Sequence, residues 1–304
     1  MFGLKSILFA FLLLMTSPSS YPKPDHINPN IVLITIDGVR TQEVFYGTDS
    51  SLSSDDYISE TKLFPNIYNY GAENGIMIGR DSPMYATGPV FISLPGYLEI
   101  MRGAQVKDCF VNTCKPKYKS TILDDLYYKN YSNIAVFSSW KPIRNIFDKD
   151  EKRFHFNNGR TNNLPIIFPE DISYRADEDT IYEAFSYIES NSPQFIWISL
   201  GDADGWAHRN NYEKYIDSLQ RSDQFIGQII ERYKNTDYGK NMTIIVTTDH
   251  GRSKIWTNHF KDKESSKVWM MMYGYNISKL GFMNINHKLY LSDIRQTILH
   301  IINN

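Results

Sequence analysis

The 304-residue sequence lacks the features of several protein classes. Its net charge is only −2, so no excess of basic side chains indicates binding to nucleic acid or to an acidic membrane surface. We found no internal repeat and no low-complexity segment. The two cysteines, Cys109 and Cys114, have a spacing that suits neither a zinc knuckle nor a redox pair. We therefore expect them to form a local disulfide, which an exported protein can maintain.

The sequence also has no apolar run of the roughly twenty residues that cross a bilayer. Its longest candidate, residues 7–15, follows Lys5 and precedes small polar residues. This order is typical of a secretory signal rather than of a buried N-terminal helix. We predict a signal peptide over residues 1–19, a single domain over 20–304, and a secreted or periplasmic protein without a stable membrane anchor.

Three apolar segments are predicted to be buried strands, and each is followed by acidic residues. They cover residues 31–36, 195–200 and 242–248, and amphipathic helical patterns lie between them. Strands that alternate with helices indicate a layered α/β sheet, whose ligand sites lie at the carboxyl ends of the strands. The polar residues that follow these strands, or lie in the next loop, are Asp37, Asp202, Asp204, His208, Asp249, His250 and His259.

Carboxylate and imidazole groups are ligands for zinc, and also for manganese or iron. Asp202 and Asp204 compete for one ligand position, so the seven residues offer six ligands. Six ligands exceed what one four-coordinate catalytic ion requires, so the set suits two neighbouring divalent ions. The four-residue step to His208 favours Asp204, which leaves Asp202 in an outer layer.

A serine provides the candidate nucleophile. Ser93 follows a β-like pair and precedes Pro95, which suits the first turn of a helix that should end at Gly103. Free N–H groups at a helix N-terminus favour an anion there. Thr87, which also precedes a Gly-Pro turn, is the alternative nucleophile.

Together these motifs resemble the alkaline phosphatase superfamily, and most closely its nucleotide pyrophosphatase/phosphodiesterase-type branch. The matching segments, in the order of that family, are Ile-Asp37-Gly-Val-Arg, Ser93-Leu-Pro-Gly-Tyr, Asp204-Gly-Trp-Ala-His208, Thr-Asp249-His250-Gly-Arg and Trp-Thr-Asn-His259. The resemblance implies a three-layer sandwich with a mostly parallel central sheet flanked by helices. It implies one ion held by Asp37, Ser93, Asp249 and His250, and a second held by Asp204, His208 and His259. It also implies that Asn112 contacts phosphoryl oxygens, although Asn112 could instead orient the Cys109–Cys114 loop.

The resemblance further implies a phosphoric ester hydrolase, a phosphatase or phosphodiesterase, that acts on a small-molecule ester through a phosphoserine and two ions, with zinc preferred. The alternatives are a sulfatase, a phosphomutase or a non-catalytic metal-dependent binding protein. Tyr97 stands where sulfatases of this superfamily have an arginine, which argues against the sulfatase. His259 follows His250 closely and lies in a loop, so His287 is the alternative ligand at this position.

Overall fold

A central eight-stranded sheet organises the computed structural model, which describes residues 28–53, 56–147, 152–158 and 173–303. The strand order is β10-β2-β9-β7-β1-β6-β4-β5, and a small second sheet has the order β11-β3-β8. The strands are β1 Asn30–Ile36, β2 Ile76–Ile78, β3 Met84–Tyr85, β4 Ile134–Ser138, β5 His155–Asn158, β6 Phe195–Leu200, β7 Met242–Thr247, β8 Lys267–Val268, β9 Met270–Gly274, β10 Gly281–Phe282 and β11 Leu289–Tyr290.

Helices cover both faces of the large sheet. The α-helices are α1 Thr41–Tyr46, α2 Glu60–Leu63, α3 Pro65–Ile67, α4 Ser93–Arg102, α5 Ile122–Tyr128, α6 Asp177–Asn191, α7 Asp202–His208, α8 Tyr212–Tyr233, α9 Asp237–Lys240 and α10 Asp293–Asn303. A π-helical turn, Tyr68–Glu73, continues α3, and 3₁₀ turns span Lys141–Ile146 and Lys263–Ser266.

The core consists of two apolar clusters, one on each face of the sheet. Ile31 and Leu33 of β1 point into one cluster, and Val32 and Ile34 point into the other. Successive strand residues face opposite sides, so a strand buried on both faces must be apolar throughout. The fold is therefore the expected α/β sandwich, with a large, mostly parallel sheet between two helical layers.

The order of the strands brings the predicted ligand segments together. Strand β1 lies between β6 and β7 and is parallel to both, so the carboxyl ends of all three strands meet at one edge. The backbone N–H of Asp37 donates to the carbonyl of Leu200 at 2.9 Å, which aligns the ends of β1 and β6. The N–H of Gly38 donates to Asp249 Oδ1 at 3.1 Å and aligns the ends of β1 and β7.

Other sequence predictions had mixed outcomes. The strand predicted over residues 195–200 is present with those bounds, and the apolar segment 134–138, which also predicts a strand, forms one with those bounds. Residues 268–273 likewise predict a single strand, but the structure has two strands there, β8 and β9, which belong to different sheets. No helix of the described residues has the length and apolarity that crossing a bilayer requires. The predicted signal peptide at residues 1–19 lies outside the described residues, so the domain boundaries stay a prediction.

Candidate metal centre and active site

Six side chains from the strand ends and the following loop converge into one group, which we call the ligand cluster: Asp37, Asp204, His208, Asp249, His250 and His259. Two sets of three within it have their ligand atoms within 4.8 Å of one another. One set contains Asp37, Asp249 and His250, and the other contains Asp204, His250 and His259. His208 extends the second set, because its Nε2 lies 3.2 Å from Asp204 Oδ2 and 3.0 Å from His259 Nε2.

The two buried histidines are oriented as metal ligands. His250 Nδ1 lies 2.8 Å from the carbonyl of Gly251, and His259 Nδ1 lies 2.8 Å from the carbonyl of Phe91. A carbonyl accepts a hydrogen bond only from a protonated nitrogen, so Nδ1 carries the proton in each ring and Nε2 faces the cluster. The loop position of His259 is therefore determined by the segment that precedes Ser93. His287 is exposed and does not contribute to either set.

The ligand cluster contains polar atoms that the described part of the chain does not satisfy. Asp249 Oδ2 and His250 Nε2 are buried and have no hydrogen-bond partner among the described residues. These two atoms lie 3.4 Å apart, and His250 Nε2 lies 3.3 Å from Asp37 Oδ1. Buried polar atoms without partners are costly, and a cation bound among them would remove that cost. The donor set and its geometry thus fit divalent ions.

Electrostatics lead to the same conclusion. Burial and the neighbouring carboxylate of Asp37 raise the pKa of Asp249 well above its usual range, and burial together with Asp204 raises the pKa of Asp37. Burial alone would lower the pKa of His250, but Asp249 and Asp37 raise it to about 9. The side chains concentrate negative charge at this edge of the sheet, and a divalent ion would compensate it.

Asp204 lies in the ligand cluster, and Asp202 lies outside it. Asp202 Oδ1 accepts from the backbone N–H of Asp177 at 3.2 Å, and Asp177 Oδ2 accepts from that of Asp202 at 2.9 Å. Burial and this second carboxyl group raise the pKa of Asp202 well above its usual range. The Asp177–Asp202 pair joins the starts of α6 and α7, which gives Asp202 a structural position.

Ser93 lies at the cluster as the first residue of α4. Its Oγ is 3.4 Å from Asp37 Oδ1, and the residue is 4% exposed. The alternative nucleophile, Thr87, instead donates its hydroxyl to Glu99 Oε2 at 2.9 Å. Gly96 brings α4 close to the end of β7, because a Cβ atom at position 96 would lie 2.4 Å from the carbonyl oxygen of Asp249.

Asn112 is held beside the serine rather than only within its own loop. Its Oδ1 accepts a hydrogen bond from the backbone N–H of Leu94 at 3.0 Å. Cys109 and Cys114 form the predicted disulfide around this asparagine. The two interpretations of Asn112 are therefore compatible, since the closed loop carries it to the N-terminus of α4.

Sequence reasoning left two side chains of this site without a role. Tyr97 is 1% exposed, and its hydroxyl donates to Asp37 Oδ2 at 3.0 Å. Arg252 is buried and donates to Asp204 Oδ1, while its Nη2 donates to the carbonyl of Thr257 at 3.0 Å. Arg252 and His208 lower the pKa of Asp204 well below its usual range, although burial opposes this shift. Tyr97 could have been recognised, because it follows Ser93 by four residues and a helix places such residues on one face.

Comparison with known proteins identifies the family. The model of the metalloenzyme superfamily matches residues 116–304, which is more than half of the chain. The chain belongs to the metalloenzyme superfamily. Members of this alkaline phosphatase-like superfamily are enzymes, and the matches do not single out the nucleotide pyrophosphatase/phosphodiesterase-type branch. Family membership implies divalent metal ions, in agreement with the ligand cluster.

Curated relatives within this superfamily align with the chain over only part of their own length. Phosphopentomutase from Clostridium kluyveri is 29% identical over 134 residues, which cover 44% of this chain and 32% of the relative. Phosphopentomutase from Carboxydothermus hydrogenoformans is 25% identical over 130 residues, which cover 42% of this chain and 31% of the relative. The chain thus spans about a third of the length of these relatives.

Solved structures of superfamily proteins share the fold at low identity. A protein of the alkaline phosphatase superfamily from Vibrio parahaemolyticus has a TM-score of 0.61 and 16% identity, with 94% of this chain and 68% of that chain covered. A putative sulfatase from Bacteroides thetaiotaomicron has a TM-score of 0.65 and 12% identity, with 91% and 71% covered. The lipoteichoic acid synthase LtaP from Listeria monocytogenes has a TM-score of 0.63 and 10% identity, with 96% and 77% covered.

Proposed function

We propose that this metalloenzyme is a phosphoric ester hydrolase that uses Ser93 as its nucleophile. One observation carries the proposal: the Ser93 hydroxyl lies 3.4 Å from a carboxylate of a ligand cluster that contains two sets of three ligands. Two metal ions held a few Å apart are typical of enzymes that displace groups at phosphorus. The substrate is a small-molecule phosphate monoester or diester.

Each ion would have its own residues. Asp37, Ser93, Asp249 and His250 would hold one ion, and Asp204, His208 and His259 would hold the other. When bound, the ions supply Lewis-acid stabilisation of the attacking and leaving oxygens and lower the pKa of the serine hydroxyl and of a water molecule. We propose zinc, because carboxylate and imidazole ligands suit it, with manganese or iron as alternatives.

Ser93 and Asn112 then have separate roles in the reaction. Ser93 Oγ attacks phosphorus, the bond to the alcohol oxygen breaks, and a phosphoserine forms. Asn112 already accepts a backbone hydrogen bond through Oδ1, so its amide NH₂ is left to donate to a phosphoryl oxygen. Water then hydrolyses this intermediate and frees the serine: a monoester substrate yields inorganic phosphate, and a diester yields the remaining phosphate monoester.

Two observations favour a hydrolase over the alternatives. A sulfatase of this superfamily has an arginine where this chain has Tyr97, and Tyr97 is committed to Asp37. A phosphomutase must keep water from its phosphorylated residue, as does any enzyme that protects a reactive intermediate. In this chain the side chain of His208 is 43% exposed, so water has access to the ligand cluster.

We also propose that the protein acts outside the cytoplasm, secreted or in a periplasm. The Cys109–Cys114 disulfide supports this location, since disulfides persist in oxidising compartments. The predicted signal peptide over residues 1–19 agrees with it. Expression of the full chain followed by N-terminal sequencing of the exported protein tests this point, and retention of an intact N-terminus in the cytoplasm would contradict it.

The function is tested by metal analysis and turnover. Protein loaded with zinc should contain two ions per chain and should hydrolyse p-nitrophenyl phosphate or bis-p-nitrophenyl phosphate. Two bound ions without turnover of any phosphate ester would refute the hydrolase and favour a binding protein. A mass spectrum of the peptide that contains Ser93 distinguishes the hydrolase from a sulfatase, because formylglycine at this position would support the sulfatase.

A further inference from the structure

A polar cavity of about 530 Å³ has Asn210, the second residue after His208, in its wall. The other wall segments are the loop after α1, the start of α8 and the loop after β7. The lining includes the polar or aromatic side chains of Ser51, Asn210, Asn211, Tyr212, Glu213 and Trp256. None of them is a ligand of the proposed ions, so the cavity is a separate feature of the surface.

The cavity adjoins the cluster through short connections. Asn210 is the second residue after His208, whose side chain is 43% exposed, whereas the side chain of His259 is 8% exposed. Of these two histidines, His208 is therefore the one that solvent reaches, and it stands two residues before the cavity wall. Trp256 forms the shared wall: its indole N–H donates to Asn210 Oδ1 at 2.8 Å, and its carbonyl accepts from Arg252 Nε.

The walls are held together without a ligand. The Tyr212 hydroxyl donates to Glu43 Oε1 at 2.9 Å and accepts from the backbone N–H of Asp49 at 2.7 Å. Ser51 donates its hydroxyl to Asp49 Oδ1 at 2.6 Å, which fixes the opposite wall. Glu43 is fully buried, so this connection lies beneath the cavity floor. The cavity is thus largely preformed, as ligand sites usually are.

The polar groups of the cavity offer both donors and acceptors. The side-chain oxygens of the two asparagines are engaged, Asn210 Oδ1 by Trp256 and Asn211 Oδ1 by the backbone N–H of Lys214 at 3.0 Å. Their amide NH₂ groups are therefore the atoms available to a ligand. The exposed carboxylate of Glu213 provides an acceptor. Among the described residues that line the cavity, none is a lysine, arginine or histidine.

These groups select against several kinds of ligand. A second anionic group would meet Glu213 and no cation. A flat aromatic group would need an exposed ring to stack on, and Trp256 is only 6% exposed. Hydroxyl groups donate and accept at once, so they match amide donors next to a carboxylate acceptor.

Building on the proposed function, we propose that the cavity binds the alcohol portion of the phosphate ester, and that this portion is a neutral polyhydroxylated group such as a sugar. The phosphoryl group would lie at the ligand cluster, and the polyol would extend past His208 towards Asn210, Asn211 and Glu213.

Binding to zinc-loaded Ser93→Ala protein tests the proposal, because this variant cannot consume the ligand. Calorimetry should show that glucose 6-phosphate binds at least about tenfold more tightly than phenyl phosphate or choline phosphate. Adding Asn211→Ser keeps an acceptor for Lys214 and removes the amide NH₂. It should lower the affinity for glucose 6-phosphate about three- to tenfold, which is the effect of one neutral hydrogen bond. The affinity for phenyl phosphate should change less than about twofold.

Glu213→Gln provides a second variant that does not alter the helix cap. It should also lower the affinity for glucose 6-phosphate. The matched control is Glu231→Gln, about 27 Å further along α8, which should leave this affinity unchanged. Tighter binding of phenyl phosphate or choline phosphate would overturn the proposal, as would an equal effect of Asn211→Ser on all three ligands.

The outcomes separate this proposal from the proposed function. Preferential binding of glucose 6-phosphate without hydrolysis of any ester by the wild type would support the cavity and refute the hydrolase. Hydrolysis of p-nitrophenyl phosphate without a preference for the polyol would support the hydrolase and refute the cavity.

Discussion

Tyr97→Phe removes one hydroxyl group from beneath the ligand cluster and leaves the ring in place. The hydroxyl donates to Asp37 Oδ2 at 3.0 Å, while Asp37 Oδ1 faces Ser93 and His250. Helix α4 therefore contacts both oxygens of one carboxylate, through its first residue and through the residue one turn later. This hydrogen bond fixes which oxygen of Asp37 would face a bound ion.

The magnitude of the effect follows from this contact. A hydrogen bond to a charged group contributes about 1.5–3 kcal/mol, and each 1.4 kcal/mol corresponds to a factor of ten in affinity. Loss of a group that orients a metal ligand usually lowers metal affinity by about 10–100-fold. Both estimates agree. We therefore expect Tyr97→Phe to lower the zinc affinity of the site that contains Asp37 by about that factor, whether it is the tighter or the weaker of the two sites.

Competition with a chromophoric zinc chelator measures the change directly. Tyr131→Phe is the matched control, because Tyr131 is also 1% exposed and its hydroxyl donates to the carbonyl of Pro29 at 3.0 Å, away from the cluster. The control should lose stability but retain wild-type zinc affinity. A folded Tyr97→Phe protein with wild-type affinity at both sites would refute the assignment of Tyr97 as a positioning residue.

Three further predictions concern the cluster and its support. His259→Ala should leave the fold intact and retain one tightly bound ion after dialysis, with activity reduced by several orders of magnitude and partly restored by excess zinc, as metal analysis and turnover will show. Gly96→Ala should lower activity more than tenfold and stability by about 1–3 kcal/mol, because its Cβ would lie 2.4 Å from the carbonyl oxygen of Asp249. Burial raises the pKa of Glu99 to about 7, so the folded state holds a proton that the unfolded chain releases from about pH 4.5. Wild-type stability should therefore fall by about 3 kcal/mol from pH 4.5 to 7 relative to Glu99→Gln in denaturant unfolding.

Each of these predictions has a contrary result. Two tightly held ions and wild-type turnover in His259→Ala would show that another histidine is the ligand. Wild-type stability and activity in Gly96→Ala would mean that α4 can move away from β7 at little cost. Parallel pH profiles for wild type and Glu99→Gln would show that the buried carboxyl group is not protonated at neutral pH.

The sequence was informative wherever burial and local chemistry act together. Strands β1, β6 and β7 are buried on both faces and mostly apolar, and the first charged residue follows the end of each strand. Parallel strands place those ends at one edge, so Asp37, Asp204 and Asp249 could be expected to meet. Ser93 was placed by the same logic, since Pro95 and Gly103 mark the two ends of its helix.

The sequence was less informative where the structure depends on contacts between distant segments. The amphipathic pattern after residue 177 predicts a helix capped by Asp177 or Asp179. Both lie within α6, whose N-cap is Ala176, and the Asp177 carboxylate instead accepts from the backbone N–H groups of Gly201 and Asp202. The ion pair of Arg252 with Asp204 also joins residues far apart in the chain. The cavity near His208 has no sequence signal, because its walls come from three separate segments with no shared pattern.

The most direct test of the central claim is the product balance of the zinc-loaded enzyme with p-nitrophenyl phosphate. We expect p-nitrophenol and inorganic phosphate to be released in equal amounts, and we expect Ser93→Ala, with its metal content checked, to release neither. Release of p-nitrophenol without phosphate would indicate transfer to another hydroxyl, and undiminished turnover by Ser93→Ala would show that Ser93 is not the nucleophile.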